Sequence, residues 1–271
     1  SGRGGEEALV AALSQSNVQD NGVDAIEEEE HDGKIDVVLI ALEDNFMAAL
    51  ATITLALERG DEALLSQTHE RLQNGIEVAA DLELVPAWWI HRLTIHLLGD
   101  LWDTSFHKVL PLGGLPGTDI GDWARLRKLF IASLYRRSKA EIELWPSQLK
   151  AARLVLDTNV NLVLSLPTSA GKTRIAELCI LASLARGKRI VFVTPLRALS
   201  AQTEAGLRRT FSPLGKTVSS LYGSIGVSGT DVDALRSTDI VVATPEKLDF
   251  ALRSDSTLLN DVGLVVLDEG H

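Results

Sequence analysis

The 271 residues are 45% apolar and 23% charged, which excludes a disordered chain and allows one large domain or two ordinary ones. A single cysteine excludes a disulfide framework and any multi-cysteine zinc site, and it suits a reducing cytoplasm, the expected location. The net charge of −11 argues against a general nucleic-acid coat, yet it is unevenly spread: 12 Lys and Arg face 25 Asp and Glu through Trp145, and 14 face 12 from Pro146 onward.

In chain order, the first half predicts helices only. Ser1–Gly5 and about 16–33 are expected to be flexible. Lys34 to Arg59 is a long apolar-rich helix stopped by Gly60; its longest uncharged stretch, Asn45–Leu57, is too short to span a bilayer. No basic segment followed by an apolar one marks a signal peptide. Asp61 caps a second helix to about Leu84, and a Trp-rich helix follows Pro86 to about Trp102. Residues 110–121 are a turn cluster. Asp122 then opens a helix with a basic stripe (Arg125, Arg127, Lys128, Arg136, Arg137, Lys139) that ends before Pro146.

The second half changes rhythm. Short apolar runs at Asn161–Leu166, Ile190–Thr194, Thr217–Tyr222, Asp239–Ala243 and Gly263–Leu267 alternate with helical patterns, predicting βαβ units and a parallel sheet buried on both faces. After the first run comes Leu166-Pro-Thr-Ser-Ala-Gly171-Lys172-Thr173 and then a helix, the strand–loop–helix setting of a phosphate loop. Backbone N–H groups across Thr168, Ser169, Ala170 and Gly171 and the helix N-terminus suit a phosphate chain. Lys172 supplies a point charge and Thr173 a hydroxyl for Mg²⁺. The last run delivers Asp268 and Glu269 at a strand end, suited to hold the Mg²⁺ shell and to orient an attacking water respectively.

With these residues in place, the chain resembles the first RecA-like lobe of a superfamily 2 DExH-box helicase, with closest likeness to the Ski-type branch. Leu144-Trp-Pro-Ser-Gln148 resembles its Q-motif, which implies that Gln148 reads adenine. Leu166–Thr173 resembles motif I, with Leu166 where the strict pattern has Gly. Thr194–Gln202 resembles motif Ia, implying that Arg197 contacts a nucleic-acid backbone. Tyr222-Gly223-Ser224 sits where the family has a backbone-contact loop. Ala243–Leu248 resembles motif Ib, with Thr244 near a phosphate. Asp268–His271 resembles the DExH box, His271 coupling the nucleotide site to the rest of the core.

The resemblance covers about 142–271. It implies a truncated, doubly wound α/β lobe over 142–271, and the helical pattern and acidic charge ahead of it predict an all-helical N-terminal accessory domain over 1–141. The resemblance also implies ATP and Mg²⁺ as cofactors and sequence-independent contact with DNA or RNA; the short uncharged run and the single cysteine predict no membrane and no zinc. The family continues past its DExH box into a second RecA-like lobe carrying an arginine finger. The isolated chain is therefore expected to bind nucleotide weakly with little turnover. Some antiviral-defence helicases of this branch carry helical extensions, a weaker likeness.

The helical half carries candidates of its own. Trp88, Trp89, His91, His96 and Trp102 fit core packing better than base stacking, because Leu93, Ile95, Leu97 and Leu98 are interleaved. Glu27–Glu30 with Asp32 fits a solvated acidic loop, and Cys179 a buried structural thiol. The basic stripe reads equally as a phosphate track and as a solvated face. Two rival functions remain at this stage. One is a partner-binding helical module with a vestigial nucleotide site. The other is a phosphate-loop ATPase that does not engage nucleic acid.

Overall fold

The computed structural model describes residues 35–156, 161–167, 171–221 and 236–269. The chain forms two compact units, Ser1–Leu98 and Gly99–His271.

In the first unit, α1 (Ile35–Arg59) ends at Gly60, whose φ of 71° breaks the helix. Asp61 caps α2 (Glu62–Asp81) by accepting from the Ala63 and Leu64 amides. The third helix, α3 (Val85–Thr104), begins here and crosses into the second unit. Leu42, Ala49, Ile53 and Ala56 line one face of α1, and Leu72, Ile76 and Ala79 one face of α2, each recurring at helical spacing. Phe46 meets the His91 ring edge-on at 5.2 Å, and Asn45 donates to the Arg71 carbonyl at 2.8 Å.

By length and composition α1 is apolar enough to cross a membrane, which differs from the expectation drawn from its uncharged run. That run counts only from Asn45, whereas the apolar window spans Glu43 and Asp44. Each acidic group at a helix centre costs about 3 kcal/mol in a bilayer.

The second unit opens with the end of α3 and a short helix the sequence did not suggest, α4 (Phe106–Val109), whose Lys108 amide bonds to the Ser105 side chain. The next helix, α5 (Ile120–Tyr135), is capped by Asp119. It stops well short of Pro146, because Arg136 caps it and Glu141 turns back to donate its amide to the Leu134 carbonyl at 3.2 Å. The α6 helix (Pro146–Val155) and α7 (Lys172–Ala185) follow. A four-stranded parallel sheet comes next, in the order β2–β3–β1–β4: β1 (Arg189–Val193), β2 (Val218–Ser220), β3 (Ile240–Ala243) and β4 (Val262–Leu267). The helix α8 (Arg197–Phe211) crosses from β1 to β2, and α9 (Pro245–Ser254) lies between β3 and β4. This is a helical region followed by a RecA-like α/β sheet.

The Asn161–Leu166 run differs from expectation. It belongs to none of the four strands, and Val163 is 94% exposed, while Leu162 and Leu164 rest against the core. The core itself gathers Trp123, Phe130, Ile175, Leu178, Ile190 and Phe211 from helices and sheet alike. Helices α4 and α5, which charge assigns to the first half, thus build the sheet's own unit.

Candidate nucleotide and nucleic-acid site

Strand register builds the site. Val193 pairs with Ala243 on one side and Leu267 on the other. The following residues, Thr194, Thr244 and Asp268, therefore share one rank along the carboxyl edge, with neighbours about 4.8 Å apart. Two ladder bonds extend past the strand ends: the Asp268 amide donates to the Val193 carbonyl, and the Thr194 amide to the Ala243 carbonyl, each at 2.9 Å. Glu269 follows at φ 51°, a left-handed conformation rare for a side-chain-bearing residue and typical of functional turns.

Helix α7 runs against the strands. Ser183, late in α7, lies beside Gly263, early in β4: a Cβ on Gly263 would meet the Ser183 hydroxyl at 3.1 Å. After three intervening residues, Arg189 opens β1. A helix of 14 residues is about 21 Å long, a little more than a five- or six-residue strand. Its first residues, Lys172 and Thr173, therefore emerge at the same sheet edge as Asp268.

Gly171 joins the loop to α7 with φ 81°, a conformation glycine adopts without cost. Its missing Cβ leaves room for a neighbour: a Cβ there would lie 1.7 Å from Gln148 Nε2. Gln148 is buried and held at both ends of its amide. Its Oε1 accepts from the Trp145 amide at 2.9 Å, and its Nε2 donates to the Gly171 carbonyl at 3.2 Å. In this arrangement its side chain braces Gly171 at the start of α7.

Of the other nucleic-acid candidates, Arg197 is the first residue of α8, and Thr244 is the buried N-cap of α9. Thr194 and Ser200 pair their hydroxyls beneath the start of α8. Thr168, Ser169, Ala170, Tyr222, Gly223, Ser224 and His271 lie outside the described residues, as does the 27–32 acidic cluster. No group of three acidic, His or Cys side chains able to hold a metal occurs among the described residues.

Sequence reasoning missed a charge network beside the site. Arg174, one turn into α7, binds Glu141 of the α5–α6 connector and Glu177 of its own helix. Arg137 reaches Glu141 at 2.6 Å and the Thr210 hydroxyl of α8 at 2.7 Å, and Thr210 donates to Glu177 at 2.6 Å. Burial raises the Glu141 carboxyl, but Arg174 and Arg137 outweigh that and hold it below its usual range. For Glu177 burial wins and its carboxyl is pushed up. The basic stripe is accordingly not one surface. Arg137 belongs to this network, and buried Arg127 donates to the Leu110 and His107 carbonyls. No spacing rule pairs Glu141 with Arg174; only the fold does.

In the first unit, His91 is buried as the packing reading expects, but Trp89, Leu93 and Leu97 are exposed on α3.

Residues 145–271 match the DEAD/DEAH box helicase family. The chain is 34% identical over 195 residues to the Hachiman protein HamB of Bacillus cereus, covering 71% of this chain and 17% of that protein. That stretch is longer than residues 145–271, so it takes in part of the helical region. The chain is 35% identical over 133 residues to the ATP-dependent DNA helicase Hel308 of Methanocella arvoryzae, 48% of this chain and 18% of that one. It is 33% identical over 136 residues to the DExH-box ATP-dependent RNA helicase DExH14 of Arabidopsis thaliana, 46% of this chain and 6% of that one. The chain thus spans less than a fifth of each of these relatives. The matches support a superfamily 2, ATP-dependent helicase domain over the second half of the chain.

Proposed function

We propose that the second unit is the nucleotide-binding lobe of an ATP-dependent helicase or translocase of the Ski-type branch. In this reading it grips Mg·ATP at one end of its sheet and a nucleic-acid backbone across the neighbouring strand ends. What supports the reading is the strand register that puts Thr194, Thr244 and Asp268 in one rank at the carboxyl edge, towards which the length and direction of α7 carry Lys172 and Thr173. The donor set fits the groups. Backbone N–H and an ammonium suit phosphates, and a hydroxyl with a carboxylate gives the hard oxygens Mg²⁺ prefers.

In this reading Gly171, Lys172 and Thr173 hold the phosphates, together with Thr168, Ser169 and Ala170. Thr173 and Asp268 would hold the metal, which would supply positive charge to the phosphate oxygens when bound. Glu269 orients the attacking water, and His271 couples the site to the remaining core. Gln148, beside the start of α7, is assigned to reading adenine. Arg197, Gly223 and Thr244 contact the nucleic-acid backbone without sequence preference.

A salt titration tests the nucleic-acid half. Arg197→Ala should weaken binding to all sequences alike and flatten the dependence of log K on log salt by about one unit. A strong sequence preference, or an unchanged slope, would sink it. A second reading makes the helical unit a protein-docking module and the nucleotide site structural; the exposed row Trp89, Leu93 and Leu97 favours it. Lys172→Ala separates the two: in the full-length protein it abolishes activity on the first reading and leaves partner binding and activity intact on the second.

A further inference from the structure

We infer that the stretch Arg137–Gln148, the α5–α6 connector with the first turn of α6, is a splint for the phosphate grip, and that Glu141 and Arg174 are positioning residues through which the preceding helices set nucleotide affinity. The inference rests on the nucleotide reading of the site and goes beyond it.

Lys172 and Thr173 are bracketed. On one side the Gly171 carbonyl accepts from Gln148. On the other, the Arg174 guanidinium is held by Glu141. Both anchors come from one stretch of chain, seven residues apart, so its position fixes the height and rotation of the first turn of α7. The far side of that turn is fixed as well: Arg174 also binds Glu177, which accepts from Thr210 on α8. Arg137 ties Thr210 back to Glu141, closing the ring. The Arg174 guanidinium lies 5.8 Å from the Phe106 ring of α4.

The chemistry is balanced. Two guanidinium groups meet two carboxylates, and the side chains of Arg174 and Glu177 are 10% and 5% exposed. In such surroundings a removed partner leaves a charge that must move to find water. Losing Glu141 frees Arg174 on the connector side, and the first turn of α7 loses one of its two brackets. Groups that grip phosphate must be held within about 0.5 Å of the productive position, so loosening registers as lost affinity. Glu141 is itself 40% exposed, so its replacement leaves the core packing intact.

The test uses the chain as it stands and three variants: Glu141→Gln, Glu141→Ala and Asp261→Asn. The last breaks the Arg189–Asp261 pair, a comparable half-exposed bridge far from the loop. Mg·ATP affinity is measured by titration well below each melting temperature. Amide hydrogen exchange is followed at Thr173–Ile175 without nucleotide. Both Glu141 variants are expected to bind about tenfold more weakly or worse, with faster exchange in that turn. Asp261→Asn is expected to lower only the melting temperature. Binding within twofold of wild type in both Glu141 variants overturns the splint. Equal weakening by Asp261→Asn does the same, because the effect would then be general destabilisation. Absence of Mg·ATP binding by the wild-type chain overturns the nucleotide reading and this inference with it.

Discussion

Two glycines and one cysteine show how single side chains constrain the molecule. Gly171 needs both its positive φ and its bare Cα, so Gly171→Ala forces a Cβ into Gln148 and a strained backbone. That variant is predicted to destabilise the second unit by about 2 kcal/mol and to abolish Mg·ATP binding, read by thermal melt and titration. Gly75 is a different case. Its Cβ would sit 2.3 Å from His91 Cδ2, with no positive φ involved, so Gly75→Ala costs overpacking alone, about 1–3 kcal/mol, and leaves nucleotide affinity unchanged. Burial pushes the Cys179 thiol up to about 11. At pH 8 about one molecule in a thousand carries the thiolate, so native protein should resist iodoacetamide until denatured. Rapid native labelling would contradict the packing of α7. The sequence predicted a buried thiol, and Cys179 is half-buried against the core. The sequence could not show that Gln148 braces Gly171, because 23 residues separate them.

Elements repeat that division. Caps and breakers are local chemistry, so Gly60 and Asp61 marked their helix ends in advance, whereas α5 ends at Tyr135, well before Pro146; four of the five apolar runs became strands. Pairing and burial are not local. The Asn161–Leu166 alternation predicts a strand, but nothing in the pattern names a partner, and the run stays outside the sheet. Helix α4 is four residues long, too short for any period to reveal. The α5 stripe looked continuous because Arg and Lys are good helix formers, yet Arg127 and Arg137 leave it for buried partners.

One joint between elements gives a pH test. Burial would raise the Asp239 carboxyl, but the Thr217 amide and hydroxyl and Lys216 outweigh it and hold it below its usual range. Its folded value is thus depressed. The stability it supplies to the β2–β3 joint is complete above the ordinary value of 3.8 and is lost as pH falls through the lower, folded one. Asp239→Asn should flatten the melting-temperature profile in that acid window; an unchanged profile would contradict the assignment.

At the scale of the whole molecule, charge and architecture divide the work. The acidic helices of the first unit repel phosphate, while the near-neutral second unit presents its helix N-terminus and strand ends at one edge. The charge balance changes at Trp145, whereas the compact units divide after Leu98. Helices α4 and α5 carry few of the acidic residues, and their apolar faces complete the sheet's core.

The central claim is that Lys172, Thr173 and Asp268 meet at that edge to hold a magnesium-bound triphosphate. The most direct measurement is a titration of the chain with ATP, with and without Mg²⁺, repeated for Asp268→Asn. Saturable binding strengthened by Mg²⁺ is expected in the wild type, with the Mg²⁺-dependent gain lost in the variant. Equal binding with and without Mg²⁺, or a Mg²⁺ gain that survives Asp268→Asn, would contradict it.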